Sequence, residues 1–281
     1  TFFASDGRLF FVIPMGRKTC IGTTDTQVES PYSYVTEEDR EFVLSNVNAL
    51  LDLPKPLTKD DVIAERCGVR PLAIKGKGGK ADWVQLSRKH AIDIDNEKKH
   101  LSIFGGKLTD CINVGDEVSG ILSGYGIQLS SPNKKWYGEP DNSVRDEFFH
   151  QAKLMKLDDM TWKDAAEPLS QRLWRRYGRE ALNMLESIRE NPDQSKLLIE
   201  NAEYIRCEIE HAAKHEMITK LEDFLRRRSK ISLVVRREEL IKAEGLKEAC
   251  EILFGDQAEE KLEEYILATE EKQQEALATA V

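Results

Sequence analysis

The sequence predicts an α+β first half, with a mixed β-sheet and few helices, followed by an all-α C-terminal helical domain. Two observations predict this division. Apolar runs with a strand-like composition and glycine turns occupy residues 1–128, whereas apolar positions in residues 146–281 recur at helical spacing. Between them, residues 129–145 are rich in Ser, Pro, Asn and Gly, which is typical of a linker. We therefore expect domains at 1–128 and 146–281, joined by this linker.

The α+β half is expected to begin with a hairpin and a helix. The β-rich apolar runs 9–14 and 18–23 flank a short break that contains Gly16. Thr36 then precedes three acidic residues, and apolar positions follow at helical spacing as far as Pro54, which predicts one capped amphipathic helix. Three further strands are expected at residues 62–64, 83–86 and 101–104.

Helices are expected in the rest of the chain. One should cover residues 112–122 and end near Gly124 and Gly126. In the second half, apolar residues at helical spacing predict four helical faces. These faces consist of Leu173, Tyr177, Ala181, Leu185 and Ile188; Ile205, Ile209 and Ala212; Leu240, Ile241 and Leu246; and Leu262, Tyr265 and Ile266.

Composition excludes several classes of function. A net charge of -9 with 32% charged residues indicates an acidic, solvated surface, so no nucleic-acid partner is expected. The five cysteines form no Cys-x-x-Cys pair and have no companion histidines at ligand spacing, which predicts reduced thiols and no metal centre. No apolar run approaches the roughly 20 residues that span a bilayer. We expect a cytoplasmic protein that is soluble or, at most, peripheral on the inner face of the membrane.

The sharpest local pattern is a strand that ends in two glycines, followed by a lysine and a helix start. Glycines let bare backbone approach a ligand, and the free N–H groups of a helix start favour an anionic or electron-rich atom. Lys107 adds a mobile cation. The same pattern also occurs as plain structure, so both interpretations stay open here. The residues of this glycine turn are Gly105, Gly106, Lys107, Leu108 and Thr109.

Two cationic segments are further candidates. Arg70 lies between Val69 and Pro71, and proline holds the preceding residue in extended backbone, which suits a binding arginine as well as an ion-paired one at a strand end. In the run 87–90, Arg88 can grip a phosphate with two hydrogen bonds and His90 can exchange a proton, although such runs are often solvated loops.

Taken in order, five motifs resemble FAD-dependent glycerol-3-phosphate dehydrogenase of the aerobic type. The five motifs are Phe10-Phe11-Val12-Ile13-Pro14, Ile21-Gly22-Thr23-Thr24-Asp25, Gly68-Val69-Arg70-Pro71-Leu72, Ser87-Arg88-Lys89-His90 and Gly105-Gly106-Lys107-Leu108-Thr109. The second half is similar to the helical C-terminal domain of that family, through residues 173–178, 202–204 and 223–228. The resemblance covers nearly the whole chain, and it implies that the α+β half is part of an FAD- and substrate-binding domain.

The resemblance also implies a reaction and the residues that serve it. Glycerol 3-phosphate would be oxidised to dihydroxyacetone phosphate by hydride transfer from C2 to FAD N5, with electrons passing on to quinone or oxygen. Arg70 would stabilise the developing alkoxide, Arg88 would anchor the phosphate, and Lys107 would assist it or face the flavin. The glycine turn would meet the pyrimidine edge of the flavin. His90 is the candidate acid or base, with a histidine from a preceding segment as the alternative.

Two departures from the family pattern carry expectations of their own. Asp110-Cys111-Ile112 stands where the family usually has Thr-Tyr-Arg, and the carboxylate of Asp110 is expected to oppose electron build-up on the flavin. No Gly-x-Gly-x-x-Gly turn of an FAD-binding Rossmann unit is found. We therefore expect the chain to be the C-terminal portion of a longer enzyme, and by itself neither to hold FAD firmly nor to turn over substrate.

Two alternatives compete with this interpretation. In the first, the helical half is an interaction or membrane-docking module, and its basic cluster at residues 226–230 binds a partner or the anionic inner face of the membrane. In the second, the flavin fold is kept but the substrate is another hydroxy acid or an amine.

Overall fold

A computed structural model describes residues 1–69, 89–130, 140–199 and 201–278, with side chains described as far as residue 269. The chain divides into two compact units. As far as they are described, one unit contains residues 1–29, 34–67 and 138–281, and the other contains residues 30–33 and 68–137. The predicted domain limits at 128 and 146 stay a prediction from sequence.

The larger unit begins with an antiparallel sheet in the order β1 (Phe2–Phe3), β2 (Leu9–Met15) and β3 (Lys18–Gly22). The predicted hairpin is confirmed, with Val12 opposite Ile21. The predicted helix is α1 (Glu37–Leu50). Its capping box is complete, because the Asp39 amide donates to the Thr36 hydroxyl while the Thr36 amide donates to the Asp39 carboxylate at 3.0 Å.

One predicted strand of this region is wrong. Residues 62–64 form no strand. The amide of Val62 donates to the Lys59 carbonyl at 3.0 Å, which closes a 3₁₀ turn over Lys59–Asp61. The carbonyl of Val62 accepts from Arg236 Nη1 at 3.1 Å. Because the turn and the arginine already satisfy these backbone groups, a neighbouring strand is not needed. The predicted strand at 83–86 lies outside the described residues.

The smaller unit contains a hairpin and a helix. β4 (Ala91–Asp95) pairs antiparallel with β5 (His100–Phe104), and α2 (Cys111–Gly124) follows. β5 and α2 confirm the predictions for residues 101–104 and 112–122. β4 was not predicted, because its Ile and Asp residues alternate over too short a segment to stand out. No residue of α2 is fully buried, and its apolar positions Val114, Val118, Ile121 and Leu122 are half-buried.

The second half of the chain is mainly helical, as predicted. A short ribbon pairs β6 (Leu197–Ile199) with β7 (Tyr204–Ile205), and a π-helical turn covers Asp223–Arg228. The helices are α3 (Asn142–Leu154), α4 (Leu169–Tyr177), α5 (Ala181–Glu190), α6 (Arg206–His215), α7 (Arg237–Lys242), α8 (Glu244–Phe254) and α9 (Ala258–Ala278).

Two of the predicted helical faces are each divided between two helices. The face at 173–188 is split at Gly178, whose φ of +51° ends α4 and lets α5 begin in a new direction. The face at 240–246 belongs to α7 and α8. Buried side chains of α3 to α6, including Phe148, Leu173 and Leu185, form one apolar cluster. A second cluster lies around α6, α8 and α9.

None of the helices in the part of the chain that the structure describes is both long and apolar enough to span a bilayer.

Candidate functional site

The glycine turn has a backbone that only glycine adopts easily. Gly105 has a φ of +66° and Gly106 a φ of +85°, which is the left-handed region. A Cβ on Gly106 would lie 3.0 Å from the Cβ of His90. The turn therefore packs its bare backbone directly on His90, and a side chain at Gly106 would be both strained and crowded. Two of the predicted site features, the turn and His90, are brought together.

The exposed start of α2 follows the turn. Lys107, Leu108 and Thr109 are all exposed, Leu108 to 91%. A 3₁₀ turn over Leu108–Asp110 leads into α2, and the Asp110 amide donates to the Lys107 carbonyl at 2.9 Å. The first N–H groups of a helix have no partner within the helix and carry its positive dipole end. This surface thus offers backbone donors and one lysine to an electron-rich group.

His90 is held between two carboxylates. Its Nδ1 lies 2.7 Å from Asp110 Oδ2 and its Nε2 lies 2.8 Å from Glu117 Oε2, while only 5% of its side chain is exposed. A neutral imidazole has a single N–H, so only the imidazolium form can donate to both carboxylates. Hydrogen bonds that His90 donates to Glu117 and then to Asp110 accordingly raise its pKa. We call these three residues the His90 clamp.

Asp110 and Glu117 were missed as partners of His90. Their seven-residue separation places them on one face of a helix, but the sequence does not indicate which residue faces them. The carboxylate of Asp110 accepts from His90 and also from Asn113 Nδ2 at 2.7 Å. Hydrogen bonds from Asn113 and then from His90 lower the pKa of Asp110.

The clamp predicts a dependence of stability on pH. The pKa of His90 in the folded state lies above the unfolded value of about 6.5. The stabilisation of the folded state by the clamp is therefore complete at pH values below the unfolded pKa, and it is lost as pH rises through the folded pKa. In an NMR titration of the ring, Glu117→Gln should lower the pKa of His90. Glu97→Gln, at an exposed carboxylate near the β4–β5 hairpin, is the control. An unchanged titration in Glu117→Gln would contradict the clamp.

The remaining predicted site residues are placed as follows. Arg70 and Arg88 lie outside the described residues. In the motif Ile21-Gly22-Thr23-Thr24-Asp25, the Thr23 hydroxyl donates to the Thr24 carbonyl at 2.7 Å, and Arg8 Nη1 donates to the Asp25 carbonyl at 3.0 Å, so these bonds stabilise the loop. Within the described ranges, no group of three or more His, Cys, Asp or Glu side chains is arranged to hold a metal ion.

A buried polar network in the helical half was also missed. Glu208 is fully buried, and its carboxylate accepts from Arg172 Nη2 at 3.1 Å, from Arg176 Nη1 at 2.7 Å and from the Tyr177 hydroxyl at 3.2 Å. The amide of Ile205 donates to the same carboxylate at 2.9 Å. Four donors thus converge on one acceptor group and join α4 to the start of α6. We call this the Glu208 network.

An aromatic contact extends the network toward the π-helical turn. The guanidinium of Arg176 lies 4.0 Å from the ring centre of Tyr204, within cation–π distance. Burial raises the pKa of Tyr204 to about 12. Its hydroxyl donates to the Ser229 carbonyl at 3.1 Å. The network is therefore a structural connection inside the helical half.

Comparison with known proteins places both halves of the chain. Residues 141–260 match the family model of the C-terminal domain of alpha-glycerophosphate oxidase. A probable glycerol-3-phosphate dehydrogenase of Encephalitozoon cuniculi is 30% identical over 239 residues, which cover 83% of this chain and 37% of the relative. The aerobic glycerol-3-phosphate dehydrogenase of Staphylococcus epidermidis is 31% identical over 80% of this chain and 40% of its own length.

A third relative matches a shorter stretch more closely. The mitochondrial glycerol-3-phosphate dehydrogenase of Macaca fascicularis is 39% identical over 106 residues, or 37% of this chain and 14% of the relative. The chain spans about two fifths of the length of the first two relatives. The matched helical domain and the alignment over four fifths of the residues agree with the resemblance of the five motifs. The chain therefore belongs to the glycerol-3-phosphate dehydrogenase family.

Proposed function

We propose that this chain supplies one edge of the flavin site and much of the substrate site of an FAD-dependent enzyme. The enzyme oxidises sn-glycerol 3-phosphate to dihydroxyacetone phosphate and passes the electrons to quinone or oxygen. The observation that carries the proposal is the glycine turn, whose bare left-handed backbone and exposed helix start lie beside the doubly held His90. The family of the chain supports the choice of substrate.

The donor set of the turn fits a flavin edge. Reduction gathers negative charge on the pyrimidine side of a flavin, which calls for N–H donors and a cation. Lys107, Leu108 and Thr109 offer backbone donors at the positive end of α2, and Lys107 adds an ammonium group. The carboxylate of Asp110 is compensated by His90. When bound, FAD would supply the hydride acceptor.

The side chains of this chain then have distinct tasks. Arg88 binds the substrate phosphate, with Lys107 assisting, because a guanidinium matches phosphate oxygens with two hydrogen bonds. Arg70 stabilises negative charge on the C2 oxygen as its proton leaves. His90 stays the candidate acid or base, but with both ring nitrogens hydrogen-bonded to carboxylates it cannot take the C2 hydroxyl proton directly. It accepts a proton only after releasing one to Asp110 or Glu117.

Substitution of Arg88 tests the choice of substrate. In a polypeptide of the relatives' full length that carries this chain, Arg88→Ala should lower kcat/KM for glycerol 3-phosphate by about a hundredfold, through loss of a charge-assisted contact. Oxidation of unphosphorylated glycerol should change little. Lys98→Ala, at an exposed lysine of the β4–β5 hairpin, is the control and should behave like the parent. Equal loss with both substrates would contradict a phosphate anchor and favour the alternative in which the substrate is another hydroxy acid or an amine.

No observation favours the membrane-docking alternative. Arg227 Nη1 donates to Asp223 Oδ1 at 3.0 Å, and Arg228 Nε donates to the Glu216 carbonyl at 3.0 Å. These two arginines of the basic cluster are therefore used within the fold. A cytoplasmic location at the inner face of the membrane stays a prediction from sequence.

A further inference from the structure

Two histidines of α6 lie on one face of the helix, apart from the proposed flavin and substrate residues. His211 and His215 are four residues apart, the spacing at which helical side chains are neighbours. Their ring centres are 4.7 Å apart, with 36° between the ring planes. The two imidazoles are thus adjacent at the C-terminal end of a helix that packing in two apolar clusters holds in place.

Packing restrains the ring of His211, whereas the ring of His215 can rotate. Tyr177 meets His211 edge-on, with ring centres 5.2 Å apart, and the Tyr177 hydroxyl is itself fixed on Glu208. His211 is partly buried, whereas His215 is exposed. Among the hydrogen bonds between described residues, none involves a ring nitrogen of either histidine. Rotation of the exposed His215 ring can therefore direct a nitrogen toward His211 without breaking a contact of that kind.

The charges around the pair favour a cation. Burial, and then the neighbouring His215, lower the pKa of His211. The carboxylates of Glu180 and Glu216 act on His211 from the start of α5 and the end of α6. Lys214 is the opposing charge, and it lies 3.8 Å from Glu210 Oε2. Arg228 contacts the Glu216 carbonyl.

We propose that His211 and His215 together bind one divalent transition-metal cation of the Zn²⁺, Ni²⁺ or Cu²⁺ class. Two imidazoles at this spacing on a helix form one side of a coordination sphere that suits these borderline-soft ions. No third His, Cys, Asp or Glu completes the set among the described residues, so water fills the other positions. The site is therefore open and exchangeable, unlike a closed structural zinc centre, and it is independent of the proposed oxidation.

The test is a titration of the tag-free chain with ZnCl₂ and NiCl₂ by calorimetry at pH 7.5. We expect one saturable site and an increase in Tm on metal addition, because an ion that binds only the folded state stabilises it. His211→Asn and His215→Asn should each weaken metal binding by at least about tenfold. Loss of a hydrogen-bonding partner of a metal ligand already lowers affinity by about that factor, and loss of the ligand itself should lower it at least as much. Lowering the pH should weaken binding, because protons compete for the ring nitrogens.

His150→Asn is the matched control, because it makes the same change at an exposed histidine of α3. It should bind metal like the parent. Circular dichroism of each variant checks that α6 is still folded. If the parent shows no saturable binding, or if folded His211→Asn and His215→Asn bind as tightly as the His150→Asn control, the proposal is overturned.

Discussion

Glu208→Ala should destabilise the helical half by about 3–5 kcal/mol, because it leaves two arginines near one another without their counter-charge. The side chain of Arg172 is 2% exposed and that of Arg176 is 19% exposed, so water can solvate the two guanidinium groups only slightly once the carboxylate is removed. The substitution also removes the acceptor for the Ile205 amide at the start of α6. The free energy of unfolding, from urea denaturation followed by circular dichroism, measures the loss.

Glu210→Ala is the matched control for this prediction. Glu210 is on the same helix, with 28% of its side chain exposed, and it pairs with Arg206 and Lys214 at the surface. Its removal should cost about 1 kcal/mol or less. Replacing Arg172 and Arg176 by Met together with Glu208 by Leu should restore much of the stability, since no buried charge then remains unpaired. Equal losses for Glu208→Ala and Glu210→Ala would show that the network is not buried as described.

Gly245→Ala should destabilise the same half on the order of 3 kcal/mol, through a clash with backbone. A Cβ on Gly245 would lie 1.5 Å from the Leu198 carbonyl oxygen and 2.3 Å from its carbon. Helix propensity alone predicts the opposite sign, because alanine is favoured over glycine in a helix by about 1 kcal/mol. The sign of the change in Tm therefore distinguishes close packing of α8 on β6 from local propensity.

Gly120→Ala provides the control for Gly245→Ala. Gly120 is inside α2, and a Cβ there would meet nothing within 4 Å. Local stability of α2, measured by amide hydrogen exchange, should rise by up to about 1 kcal/mol. A gain at both positions would mean that α8 and β6 do not approach as closely as the structure shows.

Local patterns predicted several elements correctly because their causes are local. The break around Gly16 between two apolar runs specified the β2–β3 hairpin, and Thr36 with its acidic neighbours specified the start of α1. The strand predicted at 62–64 is wrong because a distant residue, Arg236, supplies the partner of the Val62 carbonyl. Because Arg236 and Val62 are far apart in the chain, no pattern of neighbouring residues predicts their contact.

In the candidate site, too, features with a local cause were predictable from the sequence and features that depend on tertiary packing were not. The two glycines and the following helix start were evident as a pattern, since a left-handed turn demands residues without a Cβ. That His90 packs against Gly106 and donates to both Asp110 and Glu117 depends on how β4 lies beside α2. The Glu208 network likewise joins residues more than thirty positions apart.

The sequence by itself determined the β2–β3 hairpin, the start of α1, the mainly helical second half and the family, because periodicity, caps and motifs depend on neighbouring residues. Only the tertiary structure decided the two carboxylate partners of His90, the burial of Glu208 and the need for Gly245. Each of these depends on which groups lie within a few ångströms in space. Electrostatic attraction, desolvation and steric repulsion act over those distances, whatever the separation along the chain.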